Sequence, residues 1–122
     1  MKNNRLVRVN DEIKREVAAI FLTELSDPRI RGGVVSVTNV ETTPDLKFCK
    51  IFISSLGTDE EKKAALDGAV SATGYVRKQI AAKLNLRLTP AITFVADDSI
   101  EHGARISKLI DEAVADIKNS SN

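Results

Sequence analysis

Three short runs rich in β-branched and aromatic residues are unequally spaced along this chain, and the inequality limits the folds open to it. "VVSVTNV" (34–40) and "KFCKIFISS" (47–55) are separated only by "ETTPDL", in which Pro44 and Asp45 suit a turn, whereas "AITFVA" (91–96) follows after 35 further residues. Such runs read as strands. A connection as short as the first joins antiparallel neighbours, while one as long as the second leaves room for helices and a parallel return.

The long connection is helical in pattern and broken once. "TDEE" (58–61) is a capping box, in which Thr58 can accept from the amide of Glu61 and the Glu61 carboxylate can reach back. It predicts a helix over 58–71, and Val76, Ile80 and Leu84 form the apolar stripe of another over 74–86. Upstream, Leu6, Val9, Ile13, Val17, Ile20 and Leu25 recur at helical spacing and predict a helix over 5–25. That helix stops at "SDPR", because Pro28 cannot extend the hydrogen-bond ladder and biases Asp27 away from helix, and Gly32-Gly33 then permit a turn. After "DDS", Ile106, Leu109, Ile110, Val114 and Ile117 predict a last helix over 100–118.

With no internal repeat or linker, residues 1–122 are expected to form a single domain of order α-β-β-α-α-β-α. This is α+β, a three-stranded mixed sheet with helices on one face. The third strand (91–96) is expected to pair in parallel with the first (34–40), with Ile92 and Phe94 facing the helices.

A chain of 122 residues can bury a sufficient core without disulfides or metal, and its 43% apolar and 29% charged residues are those of a globular protein. No apolar run approaches the ~20 residues that span a bilayer, and "MKNNRLVR" has no apolar segment behind its charges, so a cytoplasmic location is expected. Lone Cys49 cannot close an intrachain bridge and reads as a buried strand residue. Net charge is only +1, but it is unevenly placed: no acid lies between Asp67 and Asp97, a stretch that carries Arg77, Lys78, Lys83 and Arg87, while residues 97–122 carry three cations against six acids. Contrast of this kind steers a polyanion to one surface.

The order α-β-β-α-α-β resembles a type II KH domain, a nucleic-acid-binding module, followed by an extra helix. The GXXG loop with which KH domains clamp a nucleic-acid backbone is absent. The six glycines stand at 32, 33, 57, 68, 74 and 103, and Ala72-Thr73-Gly74 occupies the corner between the paired helices. An Ala-x-Gly kink at that corner, together with "DPRI" (27–30), "VSVTNVETTPDLKFCKIFIS" (35–54), "GYVRKQIAAKLNLRLTPAITFVADDS" (74–99) and "EHGARISKLI" (101–110), resembles the ribosome-binding factor A family in matching order. The resemblance implies a non-catalytic factor without cofactor that binds the free immature 30S ribosomal subunit and assists late maturation of 16S rRNA, including 5′-end processing. A monomer with no membrane partner is expected, with a ribosome-associated GTPase as the candidate for its release.

Gly74 is expected to let the chain leave helical geometry and another backbone approach, at a cost of about 1 kcal/mol relative to alanine. A helix restarting at Tyr75 would turn unpaired amides and its positive dipole end towards a phosphate, with Arg77 and Lys78 in its first turn. The alternative is a packing corner where Gly74 only relieves crowding. The candidate RNA-binding residues are therefore Ala72, Thr73, Gly74, Tyr75, Arg77, Lys78, Lys83 and Arg87, with Arg29 and Arg31 extending the positive surface. Tyr75 could stack on a base, as could an aromatic and basic patch of Phe48, Lys50 and Phe52 on the outer face of the second strand.

Asp97, Asp98, Glu101 and His102 lack a second ligand cluster, and helix capping explains Asp98 or Ser99 better than a metal does. Nothing near His102 or Cys49 suggests an orienting partner for nucleophilic catalysis. The competing function is a KH-like protein-interaction module without direct RNA contact.

Overall fold

The structure, a computed structural model, describes residues 4–30 and 35–97. The element order is α1 (Asn4–Ala19), a π-helical turn (Ile20–Glu24), β1 (Val35–Thr42), β2 (Phe48–Ser55), α2 (Asp59–Ser71), α3 (Thr73–Lys83) and β3 (Ala91–Ala96). This is the expected α-β-β-α-α-β order in an α+β fold with a mixed sheet. The helix expected over 100–118 lies outside the described residues.

Helix α1 buries Val9, Ile13 and Val17, the stripe its periodicity predicts. At its end the Leu25 amide donates to the Ile20 carbonyl at 3.2 Å, five residues back, so one wider turn closes the helix. That turn buries the adjacent Ile20 and Phe21, and the Phe21 ring meets Phe94 of β3 at 5.6 Å between centroids. A strict helical stripe does not include Phe21, and the sequence reading missed it.

The hairpin turn is built by side chains. The Asp45 carboxylate accepts from the Thr43 hydroxyl at 2.6 Å and from the Lys47 amide at 3.0 Å, and both bonds, the hydroxyl's first, hold its pKa below the ordinary value. Leu46 takes a left-handed backbone with φ of 61°, a conformation that costs an L-residue roughly 1–2 kcal/mol.

Strands β1 and β2 pair antiparallel, with a bulge at Thr38 between Val37 and Asn39. The bulge inserts one residue and so shifts the inward parity, from Val35 before it to Val40 and Thr42 after it. Strand β3 pairs in parallel, but with β2 and not with β1, so the expected partner was wrong and the order is β1-β2-β3. The physical reason lies in β1 and β2 themselves. Bulged β1, with Asn39 and Glu41 exposed, suits an edge, whereas β2 buries Cys49, Ile51 and Ile53 and half-buries Phe52 on its other face, as a central strand can. The crossover through α2 and α3 then returns directly beside the strand it left. Ile92 and Phe94 face the core as expected. Burial raises the Cys49 thiol above its ordinary pKa.

The capping box is formed. The Glu61 amide donates to Thr58 Oγ1 at 3.2 Å and the Thr58 amide to Glu61 Oε1 at 3.1 Å. Thr58→Ala is expected to lower stability by about 1 kcal/mol, read as a shift in urea midpoint at unchanged slope. No change would reduce the box to a surface contact. Helix α2 fully buries only the small residues Ala65, Gly68 and Ala69, with Leu66 partly buried against the core, so it lies close to its neighbours. A Cβ on Gly68 would stand 2.9 Å from Ile30 Cγ1 and 3.2 Å from the Arg29 Cβ. The close approach expected at Gly74 is therefore found six residues earlier.

Candidate nucleic-acid interface

Only one residue leaves helical geometry between α2 and α3. Ala72, at φ −88° and ψ 1°, is both the last cap of α2 and the first of α3, and its amide donates to the carbonyls of Gly68 at 3.1 Å and Ala69 at 3.0 Å. Just before it the Ser71 hydroxyl donates back to the Asp67 carbonyl at 3.0 Å, a bond that competes with the helix ladder. The restart falls at Thr73, earlier than expected, and Gly74 is the second residue of α3. Among the described glycines only Gly57 has a positive φ. Beyond its own helix backbone and chain neighbours, a Cβ on Gly74 would meet no described atom within 4 Å, so among the described residues it relieves no crowding, and, as a residue inside α3, it marks no departure from helix. The missing side chain leaves open surface.

That surface is one side of a groove of about 240 Å³ lined by Gly74, Arg77, Lys78, Ala81 and Thr89. Positions 74, 77, 78 and 81 share one face of a helix, so the small residues at both ends keep the groove shallow while Lys78 stands beside it. Ala72 offers no side-chain cap, and the first turn of α3 holds no acid. Lys78 is exposed and makes no hydrogen bond or ion pair among the described residues.

Arg77 is differently engaged. Its Nη2 donates to the Thr89 carbonyl at 3.1 Å and its Nε to the Pro90 carbonyl at 3.3 Å, which fastens the end of the connection from α3 to β3.

Other candidates are held by partners far away in sequence. Tyr75 donates its hydroxyl to Glu24 Oε1 at 3.0 Å, and this bond, with a smaller contribution from desolvation, raises the phenol pKa. Lys83 stands 2.9 Å from Glu16 Oε1 and 3.7 Å from Glu24 Oε2, and Glu16 first among its neighbours raises the lysine pKa. Both residues therefore bind α3 to α1 and the π turn, away from the groove. Arg29 forms a two-pronged pair with Asp27, at 2.6 Å between Nη2 and Oδ2, which lowers the Asp27 pKa. Ala72 and Thr73 are half-buried at the corner, Arg87 is exposed in the loop before β3, and Arg31 lies outside the described residues. Phe48 is 60% exposed beside exposed Lys50 on the sheet face turned away from the helices.

The sequence reading missed Ala81 and Thr89. The first was legible as the residue seven after Gly74, but no local signal places Thr89 across the groove. Glu16 and Glu24 gave no sign of their partners, 51 residues separating Glu24 from Tyr75. Among the described residues no group of three His, Cys, Asp or Glu side chains could hold a metal, and of the four candidate ligands only Asp97 is described. No described helix is long and apolar enough to cross a membrane.

Known proteins are similar to this chain in sequence and in fold. Ribosome-binding factor A of Acetivibrio thermocellus is 44% identical over 118 residues, 97% of this chain and 95% of its own length. The solution structure of a Thermotoga maritima protein described as a ribosome binding factor A superposes with a TM-score of 0.68 at 30% identity, over 78% of this chain and 90% of its own. A Thermus thermophilus ribosome binding factor A, fitted into a cryo-EM map of a 30S complex, superposes at 0.59 with 20% identity, over 73% of this chain and 91% of its own, and so supports the fold. The family model described as ribosome-binding factor A matches residues 5–110, and this chain belongs to that family.

Proposed function

We propose that the chain binds free immature 30S ribosomal subunits through the α3 groove and assists late maturation of 16S rRNA, including 5′-end processing. It acts by binding, without chemistry of its own, as a cytoplasmic monomer whose release falls to a ribosome-associated GTPase. The observation that carries this reading is the groove itself: a strip whose two ends are the small residues Gly74 and Ala81, beside exposed Lys78, which has no partner among the described residues, in a stretch without acids from 68 to 96. A KH-like domain that recognises RNA by its backbone needs such a strip, because a phosphodiester approaches only where side chains are short, and a cation beside it supplies the attraction. Membership of a family of ribosome-binding factors supports the partner, as does the 30S complex of the Thermus thermophilus protein.

The test is sedimentation with purified ribosomal particles over a salt series. Recovery with free 30S subunits and not with assembled ribosomes is expected, with affinity falling log-linearly as salt rises. Equal recovery with both particles would remove the maturation role. Salt-insensitive binding would favour a KH-like protein-interaction module that touches no RNA.

A further inference from the structure

We infer that Arg77 is a positioning residue, which builds the groove by holding the loop before β3 and does not itself neutralise a phosphate. The inference rests on the proposed reading of the groove. Arg77 stands one residue from Lys78, in the same basic stretch, and sequence alone treats the two alike. Their surroundings differ. The Arg77 guanidinium directs Nη2 and Nε at the carbonyls of Thr89 and Pro90, two successive residues that lead into β3. A planar fork bonds two adjacent oxygens at once, which a lysine ammonium on a flexible stem cannot reproduce.

The consequence runs through the loop. Residues 85–89 join α3 to β3 with few bonds of their own; among the described backbone bonds outside helices and strands, the Leu86 amide donates to Leu84 at 2.8 Å. Within this loop Arg87 is exposed and Leu88 is 60% exposed, so little packing restrains its outer part. Thr89 is the one residue of the groove wall that does not come from α3. The bond from Arg77 to the Thr89 carbonyl therefore sets the width of the groove, and the bond to Pro90 ties that wall to the sheet, where the next amide, Ala91, donates to Lys47 at 2.9 Å. A polyanion entering the groove then meets Lys78 as its cation and a wall already in place. Such preorganisation raises affinity by sparing the loop's ordering cost at binding.

Charge-retaining exchange separates the roles. Affinity for purified 30S subunits is measured for Arg77→Lys, Arg77→Gln, Lys78→Arg and Lys78→Gln, with heteronuclear NOEs of residues 85–89 recorded on each free protein. Arg77→Lys and Arg77→Gln are both expected to bind about tenfold more weakly. Both should lower the NOEs of residues 85–89, which neither Lys78 variant should do. Lys78→Arg should bind within about twofold of the parent and Lys78→Gln should weaken, the pattern of a phosphate contact made by charge. Parental affinity and an ordered loop in Arg77→Lys would overturn the inference and make Arg77 a phosphate ligand. A loosened loop with parental 30S binding in all four variants would overturn it by a different route, since the groove would then not be the subunit-binding surface.

Discussion

Gly68→Val is expected to lower the stability of this protein by about 3 kcal/mol, while Gly74→Val changes it by less than about 0.5 kcal/mol. The two glycines are six residues apart on either side of one corner, and sequence patterns do not rank them. At Gly68 a β-carbon would already stand 2.9 Å from Ile30 Cγ1 and 3.2 Å from Ile30 Cδ1 and the Arg29 β-carbon. Ile30 is fully buried, so it has no free volume to swing into, and the Arg29 β-carbon can move only with its backbone. The segment that carries them is itself fixed, by the Ile30 amide donating to the Asp27 carbonyl at 3.0 Å and by the Asp27–Arg29 pair. Valine adds two γ-carbons to this clash. Its better helix propensity offsets at most about 0.5 kcal/mol of the cost.

At Gly74 a β-carbon would meet no described atom within 4 Å beyond its own helix backbone and chain neighbours. Valine there would, however, fill the floor of the groove. Urea unfolding of both variants checks the stability contrast, and 30S affinity at matched folded fraction checks the groove. Equal destabilisation would mean that the corner tolerates no side chain on either flank. Parental 30S binding by Gly74→Val would show that nothing approaches α3 there.

Lys78→Glu is expected to weaken 30S binding about tenfold or more and to make the log-log salt slope shallower by roughly 0.7, the change that follows when one phosphate is no longer neutralised. The effect on stability should stay within about 0.5 kcal/mol, since Lys78 is exposed and bonded to no described residue. Neighbouring cations would not report so simply. Reversing Arg77 sets a carboxylate against two carbonyls, and reversing Lys83 places a third acid beside Glu16 and Glu24, so each perturbs the fold as well as the surface charge. The control is Lys50→Glu, an equal change in net charge on the sheet face turned away from α3. Equal losses from Lys78 and Lys50 would make binding a matter of overall charge. A loss from Lys50 alone would move the interface to the outer face with Phe48 and Phe52.

The order of helices and strands, the capping box at Thr58 and the inward stripes of α1 and α3 were legible in the sequence. Each rests on periodicity or on hydrogen bonds between residues three or four apart, and spacing along the chain encodes such relations directly. The family was legible for a related reason, since four segments in one order identify it without any contact between them. Legibility failed wherever the answer was a distance between elements. Whether β3 lay beside β1 or β2 depended on the bulge in β1 and on the uninterrupted buried face of β2, Cys49, Ile51 and Ile53. Which glycine accepted a close neighbour depended on where Ile30 came to rest. Of the four cations in the acid-free stretch, tertiary structure gave Lys83 to two glutamates of α1 and its π turn and Arg77 to the carbonyls before β3, and it left Lys78 beside the groove. Charge and propensity belong to a residue, but its partner is set by the packing of segments that meet only when the chain has folded, and for these side chains that partner decides the role.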